Sequence, residues 1–151
     1  MGAAGLAQIM PGTWSDVSRR LSLPPGSTPH DRIAIEAGAW YQADRMRAWT
    51  SPRPQIERWR LGLASYNAGM GHILIAQRLC GMARDWQDIE TCLPDVTGHH
   101  SIETRGYVTR IESHWRDLGA CDPLAAPTHV QEAIGCSHHS RSRAWWQQPQ
   151  G

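Results

Sequence analysis

The chain has no lysine, no phenylalanine and one asparagine, Asn67, among its 151 residues. All fifteen basic residues are therefore arginine, a bias that codon use in a GC-rich genome produces. Without phenylalanine, the bulky core positions fall largely to eight tryptophans. No run of about 18 or more apolar residues is present, so no membrane-spanning helix is predicted. No basic leader with an apolar run behind it opens the chain, and no signal peptide is expected in this stretch. Charge is sparse as well. Charged residues make up 19%, the net charge is +1 and the arginines are scattered, which argues against nucleic acid or an anionic membrane surface as a partner. No segment alternates convincingly with a period of two, so the expected fold class is all-α, with a minor α+β component at most.

The length suits one domain with a single core. A first helix is predicted from Thr13 to about Arg20, opened by a Thr13–Asp16 capping box and stopped by Pro24-Pro25-Gly26. A second is expected to open at Thr28, Pro29 and Asp31 and to run to about Trp49, with Ile33, Ala37, Trp40 and Tyr41 on its buried face. A third follows Ser51-Pro52-Arg53-Pro54 and reaches about Tyr66, with Ile56, Trp59 and Leu63 stacked on one side and Glu57 on the polar side. Gly69 and Gly71 mark a turn before a short apolar helix, Ile73 to Cys80. Asp85 is expected to cap one further turn through Trp86 and Ile89. The last helix, Ile102 to Leu118, carries the cleanest stripe: Val108, Ile111, Trp115 and Leu118, with Glu112 on its polar side. From Ala120 onward Pro, Ser, His and Gln dominate and periodicity is lost. The expected organisation is a domain over residues 1–119 and a poorly ordered or cysteine-tied tail over 120–151.

Four cysteines leave the redox compartment open. Cys80 and Cys92 flank a short insertion that a disulfide would close, and Cys121 and Cys136 stand similarly in the tail; four free thiols are the alternative. The histidine groups, His99-His100 in an apparent loop and His138-His139 near Cys136, lack a partner set at zinc-ligand spacing, so no metal is expected. No Gly-x-Ser-x-Gly elbow is present for a serine hydrolase. No cofactor is implied.

Three segments carry more specific information. The first is Gly2-Ala3-Ala4-Gly5-Leu6-Ala7-Gln8-Ile9-Met10-Pro11-Gly12-Thr13-Trp14. The second is Leu63-Ala64-Ser65-Tyr66-Asn67-Ala68-Gly69, and the third is Ile102-Glu103-Thr104-Arg105-Gly106-Tyr107-Val108. In this order and spacing they resemble the motifs of the peptidoglycan lytic transglycosylases of the soluble-transglycosylase (SLT, goose-lysozyme-like) group, over about residues 2 to 118. The resemblance implies a lysozyme-like, mostly helical fold and peptidoglycan glycan strands as the partner. It places Gln8 and Met10 in the saccharide cleft, Tyr66 with its hydroxyl near the catalytic carboxyl, and Glu103 and Tyr107 at the border of the groove, while Asn67 of the second motif offers the saccharide a further amide. Ala7 departs from the pattern, where methionine is common, and so widens that wall.

The residue types suit the task. Amides both donate to and accept from sugar hydroxyls, tyrosines add a ring and a hydroxyl, and methionine offers an adaptable apolar wall. Simpler roles compete: Asn67 as a turn residue tolerating left-handed backbone, Glu103 as a charge at a helix N-terminus, and Tyr107 as a packing residue. The family's reaction needs a carboxyl held protonated in an apolar cleft, and the resemblance implies a glutamate earlier in the chain than Gln8. Only Met1 precedes the first motif and the first acidic residue is Asp16. The expectation is thus a domain lacking its N-terminal catalytic segment, with the catalytic residue unknown. It would cleave the MurNAc–GlcNAc bond to 1,6-anhydro-muropeptides when that glutamate is present. The alternative is an inactive saccharide-binding or structural module of a phage tail or secretion assembly. The expected location is the periplasm, the cell envelope or a virion.

Overall fold

Seven α-helices and one 3-10 turn build the part of the chain that the computed structural model describes, residues 2–117. They are α1 (Pro11–Arg20), α2 (Ile33–Arg47), α3 (Gln55–Ala68), α4 (Met70–Leu79), α5 (Trp86–Ile89), the 3-10 turn Glu90–Cys92, α6 (Pro94–Thr97) and α7 (His100–Asp117). Among the described residues there is no strand, only an isolated antiparallel bridge between Ala4 and Ile9. The tail, with Cys121, Cys136, His138 and His139, lies outside the described residues.

The axis of the fold is α3. Leu61, Gly62, Leu63, Ala64 and Ser65 are all buried in succession, which a helix achieves only when neighbours cover it on several sides. α2 packs along one side, with α4 and α7 on the others. Close approach of α2 depends on Gly62, where a Cβ would stand 2.5 Å from Met46 Cγ and 3.1 Å from Gln42 Nε2. Trp49, Leu61, Ile73, Trp86, Ile89, Leu93 and Val108 form the main core, and Ile9, Val17 and Ala37 form a smaller one near the N-terminus. Inside the main core the Trp49 indole N–H donates to Ser65 Oγ at 3.1 Å. The Cys80–Cys92 disulfide ties the end of α4 to the 3-10 turn.

Several local expectations are corrected. α1 starts at Pro11, two residues early, because proline suits the first helical position; the Thr13–Asp16 box does not form, and Asp16 instead pairs with Arg19 at 2.9 Å. Asp31 accepts from the Thr28 N–H at 2.7 Å, but in a turn, and α2 begins only at Ile33. Its buried positions are the small residues Ala34, Ala37, Gly38 and Ala43, flanked by half-buried Trp40 and Tyr41. Asp85 makes no side-chain cap. That job belongs to Glu57, which is buried rather than solvent-facing and accepts the Trp86 N–H at 2.7 Å. Glu57 also accepts from Arg60 at 2.6 Å, and Arg60 donates to half-buried Glu112 at 2.5 Å, so both acids serve a bridge from α3 to α7. His100 lies in the first turn of α7, not in a loop.

Candidate functional site

The segment from Ala4 to Ile9 folds into a tight loop closed by two backbone hydrogen bonds of 3.1 Å between those residues. Gly5 is required there: its φ is +71°, and a Cβ would run into the carbonyl of Pro29. Gln8 also has positive φ, 48°, without being glycine. Its own side chain supports that conformation, Nε2 donating to the Gly5 carbonyl at 2.8 Å. One amide N–H of Gln8 is therefore spent on the loop, and its Oε1 remains an acceptor for a ligand.

Two contacts fix this loop to the helices. Buried Ile9 anchors it in the smaller core. Tyr66, near the end of α3, donates its hydroxyl proton to the Ala7 carbonyl at 2.6 Å, bridging residues 59 apart. Ala7 itself packs over Gly38 of α2, where an added Cβ would come within 2.8 Å of the Ala7 Cβ. Burial, with the Tyr107 and Tyr41 hydroxyls adding to it, pushes the Tyr66 phenol up to about 12. Burial alone raises Tyr107. Both phenols therefore stay neutral donors through the physiological range.

Between the loop, α2, α3 and α7 runs a groove of about 560 Å³. Gln8, Met10, Tyr66, Asn67, Glu103 and Tyr107 all line it, although they are spread over a hundred residues of sequence. Tyr41, Thr13 and Leu6 line it too and were not singled out from sequence. The sequence puts Tyr41 on the buried face of its helix; its ring stands 5.3 Å from that of Tyr66, and it both packs against the smaller core and lines the groove. Gln8, Glu103 and Met10 are exposed along the groove, Met10 with 51% of its surface free.

Asn67 is not a turn residue. It sits in the last turn of α3, and the left-handed backbone falls two residues on, at Gly69 with φ 87°. Its amide is oriented by two partners on α7: Nδ2 donates to Glu103 at 3.3 Å, and Oδ1 accepts from the Thr104 hydroxyl at 2.8 Å. Thr104 was missed because it is buried and acts through Asn67; its only sequence signal is its place beside Glu103 in the third motif. Glu103 stands in the first turn of α7, where its charge also offsets the helix dipole, and Tyr107 packs against the main core while lining the groove. Among the described residues, Glu103 is the one carboxylate that lines the groove. No three His, Cys, Asp or Glu side chains among the described residues cluster as a metal site.

The arrangement offers an open groove with the Gln8 amide oxygen, the second Asn67 N–H, the Tyr107 phenol, aromatic faces and one carboxylate, a surface able to hold a hydroxyl-rich chain with flat apolar faces. A family model described as the transglycosylase SLT domain matches residues 1–89. Membrane-bound lytic murein transglycosylase F 2 of Alkalilimnicola ehrlichii is 42% identical over 65 residues, 40% of this chain and 14% of that protein. Membrane-bound lytic murein transglycosylase F of Aeromonas salmonicida is 28% identical over 120 residues, 70% of this chain and 24% of that protein. The protein of that name from Actinobacillus pleuropneumoniae serotype 5b is 34% identical over 86 residues, 53% of this chain and 18% of that protein. The chain thus spans no more than 24% of the length of these curated relatives. No solved structure matches.

Proposed function

The chain belongs to the transglycosylase SLT family, and from that premise we propose that its groove binds the glycan strands of peptidoglycan as part of a lytic transglycosylase domain. The convergence of Gln8, Met10, Tyr66, Asn67, Glu103 and Tyr107 on one channel supports this most directly. In the proposed complex the Gln8 Oε1 and the free Asn67 N–H meet sugar hydroxyls and acetamido groups, while Met10 and the tyrosine rings lie against sugar faces. Tyr66 keeps the Gln8 loop at its distance from α3.

The proposed reaction is cleavage of the MurNAc–GlcNAc bond. A protonated carboxyl gives its proton to the glycosidic oxygen and then takes one from the muramic acid 6-hydroxyl, so that a 1,6-anhydro sugar forms without water. Such a donor needs shelter from solvent. Glu103 is exposed and already accepts the Asn67 amide, so we assign it to binding rather than to proton donation. The proposed setting is the cell envelope, with delivery by a virion or secretion assembly as an alternative; no helix among the described residues is long and apolar enough to cross a membrane.

Incubation of the 151-residue chain with purified sacculi tests this. General acid–base catalysis contributes about 10²–10⁴-fold; because exposed Glu103 is the one carboxylate lining the groove among the described residues, binding with negligible release of anhydro-muropeptides is expected. Release that Glu103→Gln abolishes would make Glu103 the acid. Absence of any binding to sacculi or chitooligosaccharide would overturn the saccharide function. Binding alone also suits a second reading, an inactive peptidoglycan-binding module, which the exposed setting of Glu103 favours.

A further inference from the structure

A second cavity of about 450 Å³ opens beyond the Asn67–Glu103 pair, which both cavities share. Its far wall is built from α4, α6 and the start of α7, with His72, Val96, Thr97 and His100 facing in. The disulfide at Cys80–Cys92 holds the chain between α4 and α6 in place.

The hydrogen bonds around this lobe leave it rich in acceptors. His72 Nδ1 lies 2.7 Å from the Ala68 carbonyl, which can only accept; the ring proton of the neutral imidazole is thus on Nδ1, and Nε2 is left as an acceptor. The Thr97 hydroxyl proton is spent on the Leu93 carbonyl at 3.2 Å, and that of Thr104 on Asn67 Oδ1. Each of those oxygens keeps a lone pair. Glu103 accepts one Asn67 N–H through Oε1 and keeps a second oxygen free. Among the described residues, Glu103 is the one carboxylate that lines the lobe, and the methyl groups of Ala68 and Val96 give it an apolar side. The positive end of α7 opposes a cation here, but the Ser101 and Ile102 N–H groups are already engaged by the carbonyls of Gly98 and His99, and Glu103 offsets the remainder.

We propose that this lobe is a subsite for an aliphatic side chain ending in an ammonium group: the free amine of a diamino acid in a peptide stem, carried on the glycan strand that fills the main groove. The inference rests on the peptidoglycan function above. The methylenes lie along Ala68 and Val96, and the ammonium donates to the free Glu103 oxygen, with Thr97 and His72 Nε2 as its further acceptors. Stems whose amine is consumed in a cross-link lack that charge, so the lobe makes the domain prefer uncross-linked strands.

The test is calorimetric titration of the full chain with three probes: chitotetraose, a disaccharide–peptide monomer with its free amine, and the same monomer acetylated on that amine. The free amine is expected to bind about five- to tenfold more tightly than the acetylated form, the size of one charge-assisted contact. Glu103→Gln should erase that difference, and His72→Phe on the opposite wall should reduce it, with far-ultraviolet circular dichroism showing both variants folded. Equal affinity for the two monomers while chitotetraose binds would overturn the lobe and leave the groove standing. A preference that survives in Glu103→Gln would also overturn it. Failure of all three probes would instead remove the saccharide groove itself, and the lobe with it.

Discussion

Replacing Glu57 separates two contributions that the structure puts on one buried carboxylate. Its side chain is 9% exposed, with one oxygen accepting from Arg60 at 2.6 Å and the other from the Trp86 N–H at 2.7 Å. Trp86 is 4% exposed, so Glu57→Ala strands a buried backbone N–H at the start of α5, which costs roughly 2 kcal/mol. The Arg60 arm is weaker. Arg60 is 27% exposed and retains Glu112 at 2.5 Å, so loss of the pair with Glu57 adds up to roughly 1 kcal/mol after solvent screening. Burial works against the Arg60 charge, but its hydrogen bonds to Glu112 and Glu57 outweigh that and hold its pKa above the ordinary value. Glu57→Ala is therefore expected to cost about 3 kcal/mol. Glu57→Gln keeps a carbonyl for Trp86 and should cost about 1 kcal/mol. Urea melts at neutral pH, read at constant m-value, measure both. Equal losses in the two variants, within about 0.5 kcal/mol, would refute the claim that the hydrogen bond accepted from the Trp86 N–H contributes more than the pair with Arg60.

Tyr66→Phe removes the proton given to Ala7 and should cost about 1 kcal/mol while weakening chitooligosaccharide binding, because the Gln8 loop loses its tether. Since the Tyr66 phenol is held near 12 in the fold against 10.0 without burial, its share of stability is complete below pH 10 and is lost as pH rises through 12. Thermal melts across that range should fall less steeply for Tyr66→Phe; parallel curves would contradict the buried hydroxyl. Gln8→Gly should keep the loop, since glycine accepts a φ of 48°, and Gln8→Ala should be less stable than Gln8→Gly by about 0.5–1 kcal/mol, with saccharide affinity lowered several-fold in both. A more stable alanine variant would count against the strained loop. Reduction of Cys80–Cys92, a separation of 12 residues, should lower stability by about 3 kcal/mol in the chain-entropy model, visible as a lower melting temperature with dithiothreitol; an unchanged melt would show that the bond adds nothing.

What the sequence determined by itself was whatever depends on near neighbours. The apolar stripe of α7, the breaks at Pro24-Pro25 and Ser51-Pro52-Arg53-Pro54, and the helical class follow from spacing along a few turns. The short separation made the Cys80–Cys92 bridge legible, and the three motifs pointed to the transglycosylase SLT family that covers residues 1–89. Tertiary structure decided everything whose partner is remote. Glu57 looks solvent-facing on its own helix because its partner N–H comes 29 residues later, on α5. Thr13 and Asp16 spell a capping box, but Pro11 starts the helix before they can use it. Asn67 reads as a turn residue until α7 supplies Glu103 and Thr104 to orient its amide, 36 and 37 residues away. The loop that carries Gln8 is fixed by a tyrosine 59 residues downstream of Ala7. A hydrogen bond forms over about 3 Å of space whatever the distance along the chain, and only the packing of α2, α4 and α7 around α3 brings these groups within that reach.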